Sequence, residues 1–150
     1  MNRPYEEIVQ CVACGGDRAE RMRVVVDRLW EALKDKGVSW VGFYLHERGD
    51  ELVLGPLRDK PTCSPIGLHG VCGRAFRDGK PRVVHDVAEL GEDFIACDPR
   101  DRSEVVVPCF DGGGGTCWGV LDLDSHQIGA FTDADAAGLK KVLEAAGLTS

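Results

Sequence analysis

Glu104-Val-Val-Val-Pro-Cys109-Phe110, followed by Asp111-Gly-Gly-Gly-Gly-Thr116 and then Cys117-Trp-Gly-Val-Leu-Asp122-Leu-Asp124, is the stretch that decides the fold. Two runs rich in β-branched and apolar residues flank a glycine turn, the pattern of a β-hairpin. The second run alternates. A period of two puts Val120, Asp122 and Asp124 on one face of the strand and Leu121 and Leu123 on the other. One face of the sheet therefore enters a core, and the other carries two neighbouring carboxylates. A merely solvated strand face would have the same pattern, so the pair gains meaning from its surroundings. Glu104 begins the partner strand, which lets three carboxylates converge. Close carboxylates raise one another's pKa, and such a cluster suits a cationic amine, a metal or a proton donor. The glycine run lacks the Lys-Ser/Thr of a phosphate-binding loop and falls in a hairpin turn.

Outward from this hairpin, Val38 to Leu45 and Glu51 to Leu57 read as two more strands joined at Arg48-Gly-Asp50, and Arg82 to His85 as another. Pro4 to Val12 fits a short helix. Asp17, with Glu20 three residues on, resembles a capping box opening a longer one. Met22, Val25, Val26, Leu29 and Leu33 give that helix an apolar stripe, and Gly37 ends it. Asp59 to Leu68 holds two prolines and a glycine and reads as loop. Gly70 to Arg77 is a short helix, Ala88 to Phe94 a helical turn with loop. Thr132 caps a final helix whose stripe is Leu139, Val142, Leu143 and Ala146. The order predicts an α+β domain with a mostly antiparallel sheet. Residues 1–150 are expected to form a single domain, with N-terminal helices over 1–37 and the sheet, loops and last helix over 38–150. The stripe of the long N-terminal helix also predicts a homodimer.

Composition narrows the function classes. Of 150 residues, 43% are hydrophobic and 29% charged, the balance of a globular chain with a sizeable core. No run reaches the length of a membrane span, and Met1 to Glu7 has no apolar signal core, so a cytoplasmic protein is expected. With 18 basic against 25 acidic residues, a net charge of −7, and no dense basic cluster, nucleic acid is not an expected partner; small molecules and proteins are.

Seven cysteines, an odd number, argue against a fully paired disulfide framework. Cys72 falls in the first turn of the helix that starts at Gly70, where the helix N-terminus favours a thiolate. On that ground it has the first claim to a lowered pKa, beside the plainer role of a small buried residue. Cys63 lies in the Pro-rich loop, where a thiol can serve as a resolving partner or simply sit at the surface. Cys97 stands beside Asp98, which disfavours its thiolate. Cys11-Val-Ala-Cys14 is a CxxC pair without a second ligand pair at zinc spacing, and the four histidines contain no i,i+4 pair, so no metal site is expected. Cys109 and Cys117 sit within strands and read as packing residues. Trp40 and Tyr44, four apart on one strand, share a face. They pack a core or wall a small pocket.

Several segments in order together resemble the free methionine-(R)-sulfoxide reductases, which are GAF-domain enzymes. They are Trp40-Val-Gly-Phe-Tyr44-Leu, Leu54-Gly-Pro56, Gly70-Val-Cys72-Gly73, Asp86-Val87, Ile95-Ala-Cys97-Asp98, Ser103-Glu104-Val-Val-Val-Pro108, Gly119-Val-Leu-Asp122-Leu-Asp124-Ser125 and Phe131-Thr-Asp-Ala-Asp135. The match covers roughly residues 38 to 145. It implies a GAF fold and reduction of the sulfoxide of the free amino acid. It also implies Cys97 as nucleophile, Cys63 as main resolving thiol and Cys72 as a second resolving or relay thiol. Glu104, Asp122 and Asp124 would bind the substrate ammonium and assist the sulfoxide oxygen, while Trp40 and Tyr44 would wall the substrate methyl group. No bound cofactor is implied; thioredoxin or another dithiol would be the external reductant. A GAF sensor that binds a small ligand without turning it over, or a redox switch, is the competing expectation.

Overall fold

The computed structural model describes residues 2–93, 97–113 and 115–150. Its centre is a six-stranded sheet in the order β3-β2-β1-β6-β5-β4, antiparallel throughout. The strands are β1 (Trp40–Leu45), β2 (Glu51–Arg58), β3 (Ile66–Gly67), β4 (Arg82–Val84), β5 (Ser103–Phe110) and β6 (Cys117–Ser125). The helices are α1 (Tyr5–Cys11), α2 (Arg18–Leu33), α3 (Val71–Asp78) and α4 (Asp133–Ala145), with a 3-10 segment at Val87–Asp93. The expected helical turn at Ala88 to Phe94 matches that segment as far as Asp93; Phe94, with Ile95 and Ala96 of the cysteine motif, lies outside the described residues.

Both expected hairpins form. The alternation in β6 sorts its side chains as anticipated: Leu121 and Leu123 are fully buried with Val41 and Phe43 of β1 and Val105 and Val107 of β5. Against this face pack Val25, Val26, Leu29 and Leu33 of α2 and Leu139, Val142 and Leu143 of α4, all at most 1% exposed. Residues this completely buried cost about 2–5 kcal/mol each when cut to alanine. The stripe of α2 is therefore spent inside its own chain. Its use as a dimer surface, expected from sequence, is corrected on this point: the sheet covers it.

Local signals set the helix starts. Asp17 Oδ1 accepts from the Glu20 N–H at 2.9 Å, and the Glu20 carboxylate reaches back to the Asp17 N–H, closing the anticipated capping box. Asp135, in the first turn of α4, accepts from the Thr132 N–H. It also takes hydrogen bonds from Arg3 Nη1 at 2.9 Å and Tyr5 Oη at 2.6 Å. Arg3 is almost wholly buried there, its guanidinium over the Phe131 ring, and it pins the N-terminal segment to α4.

The loop read over Asp59 to Leu68 holds an unforeseen two-residue strand, β3, which pairs with the start of β2. β4 ends at Val84, one residue short of the expected His85. Among the described residues no helix is long and apolar enough to cross a membrane.

Candidate active site

The face of the sheet away from α2 and α4 carries the site, and strand register places its floor. Across β1 and β6, Trp40 faces Asp124, Gly42 faces Asp122 and Tyr44 faces Val120. Across β5 and β6, Glu104 faces Asp124 and Val106 faces Asp122. Two aromatic rings and three carboxylates thus fall on one side of three adjacent strands. The Trp40 and Tyr44 ring centroids are 6.2 Å apart. A Cβ at Gly42 would lie 2.2 Å from the Trp40 indole, so the bare glycine is what lets the ring lie flat over the strand. Gly73 has the same office for α3: a Cβ there would come 2.2 Å from the Leu68 backbone. Its absence lets α3 close on the chain and deliver Cys72 to the floor.

A cavity of about 760 Å³ opens over this floor. Its lining includes every site residue anticipated from sequence: Trp40, Tyr44, Cys63, Cys72, Cys97, Glu104, Asp122 and Asp124. Cys63 and Cys97 are joined by a disulfide, with Cα atoms 5.6 Å apart, inside the usual range for such bonds. Cys63 is exposed and Cys97 half-buried, so the bond lies at the mouth of the cavity. Cys72 is free and buried.

The electrostatics of the floor are those of a proton store. Burial pushes the pKa of Asp122, Asp124 and Glu104 well up, and their mutual repulsion adds to it. The Cys72 sulfur and one carboxylate oxygen each of Glu104 and Asp122 lie within 4.8 Å of one another. Asp122 Oδ1 and Asp124 Oδ1 are buried and have no hydrogen-bond partner among the described residues. Buried acceptors left unmatched are costly unless a donor arrives, and an ammonium group is such a donor. The expectation of a lowered pKa at Cys72 is corrected. Burial first, then Asp122, Glu104 and Asp124, pushes that thiol well up and outweighs the start of α3.

Sequence reasoning missed Asp101 and His126, which line the mouth beside Asp98. His126 Nε2 stands 3.4 Å from Asp98 and 3.8 Å from Asp101. Burial and the charge of Asp98 raise Asp101 to about 6. The Arg100 guanidinium and N–H bond to Asp98 and hold it at about 2. Asp101 sits in an aperiodic turn, where spacing gives no clue to burial. His126 follows β6 by one residue and signals only that it ends a strand.

Among the described residues, two groups of donors lie close enough together to hold a cation: Cys72 with Glu104 and Asp122, and Asp98 with Asp101 and His126. In the first, a metal must displace protons that burial retains. In the second, Asp98 is already committed to Arg100. The Cys11–Cys14 pair lies on α1 and just beyond it, and both are free, as are Cys109 and Cys117.

A family model described as the GAF domain matches residues 17–149. Free methionine-R-sulfoxide reductase of Escherichia coli (strain K12) is 41% identical over 117 residues, which are 77% of this chain and 67% of that protein. Free methionine-R-sulfoxide reductase from Neisseria meningitidis, solved in complex with its substrate, matches with a TM-score of 0.82 at 38% identity, covering 95% of this chain and 83% of that one. fRMsr of Staphylococcus aureus in complex with substrate matches with a TM-score of 0.85 at 31% identity, covering 97% and 94%. With its antiparallel sheet, its carboxylate floor and its thiols in the matching motifs, the chain belongs to the GAF-domain family, in the branch of the free methionine-(R)-sulfoxide reductases.

Proposed function

We propose that this protein reduces the R epimer of free L-methionine sulfoxide to methionine. The observation that carries the reading is the Cys63–Cys97 bond at the mouth of a cavity floored by Glu104, Asp122 and Asp124. In the proposed reaction the substrate ammonium docks on the carboxylates, and Trp40 and Tyr44 wall its methyl group. The Cys97 thiolate attacks the sulfoxide sulfur while a carboxylic acid of the floor protonates the oxygen. Methionine leaves, and Cys97 retains the oxygen as a sulfenic acid. Cys63 condenses with it, forming the S–S bond and releasing water.

An external dithiol, with thioredoxin as the proposed one, then restores both thiols by exchange. Exposure of Cys63 supports access for such a partner. Cys72, free and buried beside Asp122 and Glu104, is assigned the secondary place, as a relay thiol. No bound cofactor enters the cycle. The proposed compartment is the cytoplasm, where thiols are kept reduced. Homodimer formation would use surface outside the buried stripe of α2, and sedimentation equilibrium checks it.

The deciding experiment couples NADPH oxidation, through thioredoxin and its reductase, to free methionine sulfoxide. Turnover of the R epimer, and neither of the S epimer nor of a sulfoxide inside a peptide, is expected. Binding of the sulfoxide without NADPH consumption would identify a sensor instead.

A further inference from the structure

Three hydrogen bonds fasten the segment that carries Cys63 to the first hairpin. Trp40 Nε1 donates to the Lys60 carbonyl at 2.8 Å. Tyr44 Oη donates to the Cys63 carbonyl at 2.8 Å. Ser64 Oγ accepts from the Leu54 N–H at 2.9 Å. Tyr44 and Leu54 face each other across the β1–β2 ladder. One rung of the sheet therefore grips two consecutive residues, Cys63 through its carbonyl and Ser64 through its hydroxyl. Tyr44 is 3% exposed and held in the second apolar cluster, so its hydroxyl is a fixed point. Cys63 and Ser64 are both exposed. Burial does not place them, and polar fasteners must.

We propose that Tyr44 and Ser64 are positioning residues for the resolving step. Their hydrogen bonds hold the Cys63 backbone so that its sulfur faces Cys97, and losing either slows disulfide closure. The proposal deepens the reading above and rests on its assignment of Cys97 and Cys63. The reasoning is one of effective concentration: a thiol on a loose loop meets its partner rarely, and one held in place meets it often. A single neutral hydrogen bond contributes little net free energy, so each loss should slow closure by about three- to tenfold.

Closure can be read without methionine sulfoxide. The Cys97 thiolate attacks one oxygen of hydrogen peroxide, the O–O bond breaks, and hydroxide leaves; sulfur is oxidised and peroxide reduced. The Cys63 thiolate then attacks the Cys97 sulfenic sulfur, forming S–S as the S–O bond breaks, and the departing hydroxide takes a proton to become water. A peroxide pulse on the reduced protein, with dimedone trapping and intact mass at timed intervals, separates the two steps. Ser64→Ala should form the sulfenic acid at the wild-type rate and close about three- to tenfold more slowly. Ser64→Thr, which keeps the hydroxyl, should restore closure. Tyr44→Phe should show a similar excess of trappable sulfenic acid over disulfide.

Wild-type closure in both Ser64→Ala and Tyr44→Phe would overturn the proposal. So would an equally slow Ser64→Thr, sulfenic acid formation slowed as much as closure, or a wild-type protein that forms no Cys63–Cys97 bond with peroxide. A protein inert to methionine sulfoxide, but closing slowly only when the Ser64 hydroxyl is missing, would sink the reductase and leave the positioning role standing.

Discussion

Glu104 on β5 stands directly across the ladder from Asp124 on β6, and both line the floor of the cavity. Two neighbouring buried carboxyl groups repel each other when both are ionised, so a proton is favoured on the pair. Burial first, then the charge of neighbouring carboxylates, pushes both pKa values well up. This is how an acidic strand face becomes a proton donor near neutral pH.

Glu104→Gln and Asp124→Asn test that role. Each amide keeps the shape and every thiol but cannot release a proton. Methionine formation in a single turnover should slow by about 10²–10⁴, the usual weight of one general acid. Peroxide-driven closure of Cys63 on Cys97 should be little changed. Equal slowing of both reactions would show that the floor organises the thiols rather than protonating the substrate.

Asp101 gives the fold a measurable pH dependence. Its pKa is raised from 3.8 to about 6 by burial and by the charge of Asp98. The folded chain therefore holds a proton there more tightly than the unfolded chain, and stability falls as pH rises from about 4 to 6. Asp101→Asn should be more stable than wild type at pH 7.5 and no more stable at pH 4, by denaturant titration. Asp98 works in the opposite direction and in a lower window: held at about 2, its contribution is present above about 4 and fades as pH falls toward 2. A gain from Asp101→Asn that is the same at pH 4 and 7.5 would show that the charge is not the cause.

Much of this was legible in the sequence because it is periodic or local. Alternation in Leu121-Asp122-Leu123-Asp124 separates core from site, and the register to Trp40 and Glu104 follows once the hairpins pair. The helix starts are written in Asp17 and Glu20. What escaped was set by three-dimensional surroundings. The first turn of α3 argues for a reactive Cys72, but burial beside three carboxylates decides the matter and neither shows in its neighbours. The stripe of α2 has the same pattern whether a sheet or a second subunit covers it. Asp101 lies in a turn with no period, and only the packing around the mouth reveals its burial.

Gly42→Ala probes the aromatic wall without altering either ring. The added Cβ would overlap the Trp40 indole and push it off the strand, which also strains the bond from Nε1 to the Lys60 carbonyl. In the proposed binding mode a displaced wall loses contact with the substrate methyl group, and one such apolar contact is worth about 10–200-fold in discrimination. The variant should show a rise in KM of about tenfold or more and altered tryptophan fluorescence. An unchanged KM together with a shifted emission spectrum would remove Trp40 from the substrate wall.

The thiols separate by which step each variant loses. Cys97→Ser should form no methionine even in a single turnover, because the proposed nucleophile is gone. Cys63→Ser should complete the first turnover, leave a sulfenic acid trappable on Cys97, and then stall with thioredoxin present. Cys72 is the discriminating case. It is buried beside Glu104 and Asp122, and its pKa is pushed well up, both of which disfavour attack by its thiolate. Cys72→Ser should therefore form one equivalent of methionine, at a rate reduced only as far as Asp122 is disturbed, and should still close Cys63 on Cys97. Quenched-flow measurement of methionine, with mass mapping of the oxidised protein, distinguishes these outcomes. One equivalent of methionine from Cys97→Ser and none from Cys72→Ser would make Cys72 the nucleophile. The claim from the start of α3 would then prevail over burial, and the Cys63–Cys97 bond would be a side product.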